Sequence, residues 1–156
     1  MSKKPSSKKK KVVMVSGGFD PIHIGHVRLL QEAKKLGDEL VVLLNNDHWL
    51  RLKKGFVFMA EHERKEIIEA FHFVDRVVLS SHKKNTKDIS VTEDIRALRP
   101  HIFAKGGDRH SGNIPEVAVC NEVGCVIVND VGWGGKVQSS SELVKKAKEK
   151  TKKHKK

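Results

Sequence analysis

Short apolar runs alternate along this chain with longer segments whose apolar residues recur at helical spacing. Continuous apolar runs are typical of strands that are covered on both faces. Strands that alternate with helices favour a parallel sheet with right-handed crossovers. The pattern therefore predicts an α/β fold, a single Rossmann-like domain whose five-stranded parallel sheet has helices on both faces. The five predicted strands are 12–15, 40–44, 76–79, 102–104 and 125–128.

Two predicted helices begin at sequences that have the form of a capping box, Ser90 with Glu93 and Ser139 with Glu142. Further amphipathic segments predict helices at 27–36, 61–71 and 115–123. Residues 48–59 have no clean period, and we predict a loop there that crosses the ligand-binding edge of the sheet. The fourth strand is predicted to be broken by the sequence Lys105-Gly-Gly-Asp108.

The net charge of +12 is concentrated at the two ends of the chain. Residues 1–11 carry six lysines and residues 145–156 carry eight, which leaves 12–144 close to neutral. We therefore expect a disordered Lys-rich arm over 1–11, a folded domain over 12–144, and a Lys-rich tail over 145–156 that continues the last helix. Contact with nucleic acid is expected only through these two Lys-rich segments.

The two cysteines, Cys120 and Cys125, have neither the number nor the spacing of a disulfide framework or a metal site. Buried thiols in a reducing compartment are the better interpretation. No apolar run reaches the roughly 18 residues of a spanning helix, and the basic N-terminus leads into too short an apolar run for a signal peptide. We expect no membrane span and a cytoplasmic protein.

The most informative stretch runs from Ser16 to His26, with the sequence Ser-Gly-Gly-Phe-Asp-Pro-Ile-His-Ile-Gly-His. It follows a predicted strand and precedes an amphipathic helix. The glycines allow the backbone to approach a ligand, and the amides of a helix start favour an anion. Two histidines, His23 and His26, lie where that anion would sit. The residues alone therefore predict a phosphate site.

This stretch resembles the HxGH signature of the cytidylyltransferase-like nucleotidyltransferases, and the resemblance extends over about residues 12–144. The resemblance implies an enzyme that transfers a nucleoside monophosphate from ATP or CTP to a phosphate monoester and releases pyrophosphate. Lys105-Gly-Gly-Asp108 looks most like the adenylyltransferase domain that activates heptose 1-phosphate, which favours ATP and a sugar phosphate. One alternative is a CTP-dependent cytidylyltransferase acting on glycerol, choline or ethanolamine phosphate. Another is a non-catalytic module that binds nucleotides or polyanions.

The resemblance also implies roles for individual residues. His23, His26 and Lys53 would be catalytic, and Arg64 would bind phosphate oxygens through its guanidinium fork. Mg²⁺ would bridge phosphate oxygens, with no metal ligand from the protein, and a homodimer is expected. The nucleotide would be bound by Gly17, Gly18, Phe19, Asp20, His23, His26, Arg64, Lys105, Gly106, Asp108, Ser139, Ser140 and Ser141.

Overall fold

The computed structural model describes residues 9–106, 114–134 and 138–154 of the chain. Within them, strands and helices alternate along most of the sequence. The strands are β1 (Val12–Gly17), β2 (Glu39–Leu44), β3 (Arg76–Leu79), β4 (Ile102–Gly106) and β5 (Val126–Val131). The helices are α1 (Ile24–Lys34), α2 (Asp47–Lys54), α3 (Glu61–Glu69), α4 (Thr92–Leu98), α5 (Ile114–Val123) and α6 (Ser140–His154).

The five strands form one sheet in the order β3-β2-β1-β4-β5, and every neighbouring pair is parallel. The predicted fold class, a Rossmann-like five-stranded parallel sheet, is confirmed. The chain leaves β1 toward β2 and later returns to place β4 on the other side of β1. Ligands of such sheets bind outside the carboxyl ends of the strands at this reversal, which here lies between β1 and β4.

Two hydrophobic clusters cover the two faces of the sheet. On one face, Leu30 and Ala33 of α1 and Ile68 of α3 pack against β1, β2 and β4. On the other face, Ile95 of α4 and Val119 and Cys120 of α5 pack against Met14, Leu43 and Phe103. Because β2 contributes side chains to both clusters, its sequence is apolar at consecutive positions.

The segment predicted as a loop over 48–59 is partly helical, and that prediction is wrong for α2. Asn46 caps the helix, with its Oδ1 accepting a hydrogen bond from the Trp49 amide at 3.0 Å. Gly55 ends the helix in the left-handed conformation, at φ +82°. Both end signals are present in the sequence. The eight-residue helix was too short to show a period, because it buries only Trp49 and Leu50.

The capping box predicted at Ser90 does not form. The N-cap of α4 is Val91, without a side-chain hydrogen bond, and the Ser90 hydroxyl lies 3.2 Å from that of Thr92. Glu93 forms an ion pair with Arg96 at 3.0 Å, one turn along the helix. Glu93 therefore pairs with a charge on the exposed face of α4 and does not cap the helix.

The fourth and fifth strands are longer than their apolar runs. β4 continues through Lys105 to Gly106, which is paired with Val131 after a register shift. The predicted break at Lys105 is therefore wrong, because backbone pairing with β5 continues where the apolar pattern ends. The first turn of α6 has half of its predicted capping box, with the Glu142 amide donating to Ser139 Oγ at 3.3 Å. None of the helices described here has the length and apolar character needed to cross a membrane.

Candidate active site

The two histidines of the signature form the start of α1. His23 is the N-cap, and its Nδ1 accepts a hydrogen bond from the Gly25 amide at 3.1 Å. In return, Nδ1 of His26 accepts from the His23 amide at 3.1 Å. The two rings are stacked, with centroids 3.7 Å apart. The pair is a capping box made of imidazoles, and it holds both rings at the positive end of the helix dipole.

These hydrogen bonds assign the protonation of both rings. A nitrogen that accepts from a backbone amide carries no proton, so each neutral ring carries its proton on Nε2. Nε2 is therefore the nitrogen of each ring that carries the donor hydrogen. A charged His23 or His26 would have to give up its bond to the backbone.

Burial, and then the nearby positive charge of Lys54, lower the pKa of His23. Both causes act in the same direction, because each disfavours the imidazolium. At neutral pH His23 is therefore a neutral hydrogen-bond donor. An incoming anion would offset the charge of Lys54 and raise this pKa again.

The glycine turn is fixed by close packing on both of its sides. A Cβ on Gly18 would lie 2.9 Å from Leu50 Cδ2 and 3.1 Å from the Trp49 ring, so α2 lies directly against the turn. Phe19, at φ +49°, is buried, and its ring meets that of His26 edge to face at 4.7 Å. Gly18 and Phe19 therefore position the backbone and the histidine ring.

Asp20, which was predicted to bind the nucleotide, holds the backbone around the site in place. It is 2% exposed, and its carboxylate accepts from the amides of Phe58 and Met59, both at 2.7 Å. These bonds tie the glycine turn to the segment that leads into α3. The structure therefore places Asp20 as a residue that positions the turn, and its carboxylate is engaged by the protein.

Arg64 differs most from its predicted role. The residue is 1% exposed, and its guanidinium does not face an open cleft. Nε donates to Met59 O at 2.8 Å, and the terminal nitrogens make three further bonds of 2.7 Å, to Gly18 O, Asn45 O and Asp47 Oδ1. Four of its five donors are thus used within the protein. Arg64 joins the glycine turn to the end of β2.

The lysine whose charge lowers the pKa of His23 is Lys54 and not the predicted Lys53. Lys54 lies in the last turn of α2, 3.5 Å from Asp20 O, and its charge acts on His23. Lys53 is exposed on the same helix. Consecutive helical residues point about 100° apart, so the two side chains leave α2 in different directions. The two lysines could not be distinguished from the sequence alone, because α2 was not predicted.

The start of α6 lies against the same turn. Ser140 is buried, and its hydroxyl donates to Pro21 O at 2.7 Å. Ser139 accepts from the Glu142 amide and so caps the helix, whereas Ser141 is exposed. The structure therefore brings the predicted serines to the glycine turn, with two of the three hydroxyls engaged in holding the helix there.

Lys105 and its neighbours lie at the end of β4. Lys105 is 8% exposed and faces the α4/α5 side of the sheet, with Nζ 5.2 Å from the Phe103 ring centroid. It lines a cavity of about 430 Å³ with Cys120 and Cys125. A Cβ added at Gly106 would lie 4.0 Å from Leu29 Cδ2 of α1. Asp108, predicted to bind nucleotide, lies outside the described residues.

Sequence reasoning missed Asn45 as well as Lys54. Asn45 is 3% exposed at the end of β2, and its Oδ1 has no hydrogen-bond partner within the part of the chain that the structure describes. Its amide donates to Gly17 O at 2.8 Å, which places it beside the glycine turn. Its position directly after a buried strand was the available signal.

Among the described residues, no group of three or more His, Cys, Asp or Glu side chains could hold a metal ion. The only carboxylate of the glycine turn, that of Asp20, is engaged by two amides. Within the part of the chain that the structure describes, the side chains around the glycine turn therefore form no metal site of this kind.

Several named proteins are similar to this chain in sequence. A protein named bifunctional protein HldE from Pelobacter propionicus is 43% identical over 101 residues, 64% of this chain. An FAD synthase from Thermococcus sibiricus is 38% identical over 106 residues, 67% of this chain and 68% of that protein. The chain spans only 20–24% of the length of the HldE proteins it matches first.

A solved structure is also similar, the lipopolysaccharide core biosynthesis protein from Thermoplasma volcanium. It has a TM-score of 0.65 and 29% identity, and the match covers 80% of this chain and 98% of that one. The sequence itself matches the cytidylyltransferase-like family over residues 14–150, which includes most of β1, the strands β2 to β5 and the histidine pair. The chain therefore belongs to the cytidylyltransferase-like family.

Proposed function

We propose that this chain is a nucleotidyltransferase that transfers the adenylyl group of ATP to a phosphate monoester and releases pyrophosphate. The observation that carries the proposal is the histidine pair at the start of α1, in which both rings present Nε2–H. Imidazole Nε2–H groups at a helix N-terminus suit a phosphate group whose charge increases during transfer.

In this reaction an oxygen of the acceptor phosphate attacks the α-phosphorus, and the bond to the pyrophosphate oxygen breaks. No nucleophile from the protein is required, so the protein positions the reactants and stabilises charge. His23 and His26 would donate to α- and β-phosphate oxygens. Lys54 would neutralise the same phosphates, and Mg²⁺ carried by the nucleotide would screen the repulsion between the reacting anions.

The β- and γ-phosphates would be bound by the start of α6. Ser140 joins that helix start to Pro21, so the first amides of α6 lie beside the glycine turn. Ser141 is exposed and offers a hydroxyl to the ligand. The starts of two helices facing one triphosphate are a strong electrostatic arrangement, because each favours negative charge.

We favour a sugar phosphate such as a heptose 1-phosphate as the acceptor, supported by the relatives named HldE and the lipopolysaccharide protein. A flavin phosphate is the second candidate, because the FAD synthase from Thermococcus sibiricus matches across 68% of its length. Cytidylyl transfer from CTP remains the alternative for the nucleotide. The acceptor and the nucleotide are therefore best tested together.

The test is pyrophosphate release measured with ATP and CTP against heptose 1-phosphate, flavin mononucleotide and glycerol 3-phosphate, with Mg²⁺ present. We expect turnover with ATP and one acceptor, and a loss of about 100-fold or more in His26→Asn, because one donor to the phosphates is removed. Asn can still accept the His23 amide, so the helix start is kept. His72→Asn, at an exposed position, is the matched control.

A folded sample that binds nucleotide but turns over no pair would contradict the enzyme and favour the non-catalytic binding module. The two lysines give a second paired test. Lys54→Ala should raise KM for the nucleotide or lower kcat, whereas Lys53→Ala should change neither by more than about twofold, since exposed lysines contribute little. The reverse result would restore Lys53 to the role expected from the family resemblance.

A further inference from the structure

A groove lies beside the candidate active site, between the segment after α2 and the helix α6. Its cavity has a volume of about 460 Å³ and is lined by Phe56, Phe58, Val144, Ala147, Lys148, Thr151 and Lys152. We call this region the aromatic-basic surface. Apart from the two ammonium groups and one hydroxyl, the side chains that line it are apolar.

Exposed apolar residues are concentrated at this surface and at the end of α2 that precedes it. The described residues include seven exposed large hydrophobic side chains, and three of the seven fall between residues 52 and 58. Leu52 is 41% exposed, Phe56 36% and Phe58 57%. Scattered exposed hydrophobic residues need no explanation, but a cluster of this kind marks a site of interaction.

The same surface is strongly positive. Next to its lining residues, the last turn of α2 carries the exposed Arg51 and Lys53, and no Asp or Glu occurs between residues 48 and 60. Beyond Val144, the side chains of α6 described through Lys153 are exposed, and they include six lysines and only Glu149 as an acid. Lys148 Nζ lies 5.2 Å from the centroid of the Phe56 ring, so charge and aromatic side chains are interleaved.

We propose that the aromatic-basic surface docks on an anionic lipid bilayer. Phenylalanines would enter the region between headgroups and acyl chains, and the lysines would contact the anionic headgroups. A second copy of the chain would bring two lysine-rich helices together, so charge argues against that occupant. A nucleic acid would match the lysines, but it would leave Val144 and Ala147 without an apolar partner.

The surface lies next to the catalytic edge of the sheet. The backbone amide of Phe58 holds the Asp20 carboxylate, and Val144 lies one helical turn from Ser140, which bonds to Pro21. Docking would therefore bring the glycine turn close to the lipid headgroups. The inference does not depend on the proposed function, since it rests on exposure and charge alone.

The test is sedimentation of the full chain with phosphatidylcholine vesicles that contain about 30% phosphatidylglycerol, compared with phosphatidylcholine alone. We expect binding only to the anionic vesicles and a sharp loss of binding at high salt. Phe58→Ala should lower the partition coefficient about tenfold, because the exposed ring can no longer be buried in lipid. The double variant Lys148→Gln/Lys152→Gln should lower it by about tenfold or more.

Two matched controls test whether the effect belongs to this surface. Val126→Ala removes an exposed apolar side chain of β5, and Lys83→Gln/Lys84→Gln removes two exposed lysines from another loop. Both should bind as the original chain does, and circular dichroism should show every variant folded. The lysines of residues 1–11, and those of 145–156 other than Lys148 and Lys152, are the same in every variant.

Three results would overturn the proposal. One is absence of binding to the anionic vesicles. Another is binding that Phe58→Ala leaves unchanged and that heparin or RNA abolishes, which would identify a general polyanion surface. The third is a dimer, detected by light scattering, that Phe58→Ala dissociates, which would identify the surface as an interface between copies of the chain.

Discussion

Replacement of Arg64 by Met separates the two roles that this residue could have. Met has a similar length and fits an apolar site, but it provides none of the four hydrogen bonds that the guanidinium makes. A phosphate-binding arginine would be needed for activity and not for folding. An arginine that holds the frame together would be needed for both.

The expected loss of stability is large. The Arg64 side chain is fully buried and its partner Asp47 is 17% exposed, and removing one partner of a buried ion pair costs about 3–5 kcal/mol. Three carbonyl groups also lose a donor, although water can reach part of the space that is opened. We therefore expect a loss of about 4 kcal/mol, which for a chain of this size lowers the melting temperature by about 10 °C.

Urea denaturation followed by circular dichroism measures the change. Arg96→Met is the matched control, because Arg96 is exposed and makes two ion pairs, with Glu93 and Glu122. Exposed pairs of this kind contribute at most about 1 kcal/mol. If Arg64→Met unfolds at the original urea concentration and only raises KM for the nucleotide, then Arg64 binds phosphate and the structural argument fails.

Three further changes have defined outcomes. Because the pKa of His23 is lowered in the folded chain, the unfolded chain binds a proton at this residue more readily as the pH falls below 6.5. Stability therefore decreases toward low pH. In melting temperatures measured over a pH series, His23→Asn should reduce that decrease. Burial raises the pKa of Cys120 and raises that of Cys125 to about 12, so a thiol reagent at about pH 8 should modify neither until denaturant is added. Gly18→Ala should cost about 1–3 kcal/mol in urea denaturation, because the added Cβ meets Leu50 and Trp49.

The order of strands and helices could be predicted because burial on two faces leaves a strong signal. Leu40 to Leu44 is apolar at every position, and both faces of β2 are covered. Short elements with mixed exposure could not be predicted in the same way. In α2, Leu52 is exposed beside buried Trp49 and Leu50, so the hydrophobic pattern does not follow the helix.

The histidine pair could be located from the sequence, whereas the direction of individual side chains could not. Lys53 and Lys54 are neighbours with the same chemistry, and only the presence of α2 decides which one faces the turn. Arginine is usually exposed in folded proteins. The burial of Arg64 depends on carbonyl groups that come from three separate segments. Tertiary contacts of this kind leave no local pattern.

The distribution of roles at the site has a physical reason. Backbone amides and neutral imidazoles bind an anion well only if they are held in place before it arrives, because reorganisation would cost binding energy. Asp20, Arg64 and Ser140 supply that rigidity, since each bonds a backbone group of the glycine turn or its neighbours. The charge of Arg64 is largely offset by Asp47, so it cannot be the main attraction for a triphosphate. In the proposed reaction that attraction would come from the starts of α1 and α6 and from Lys54, whose charge already contributes to the lowered pKa of His23.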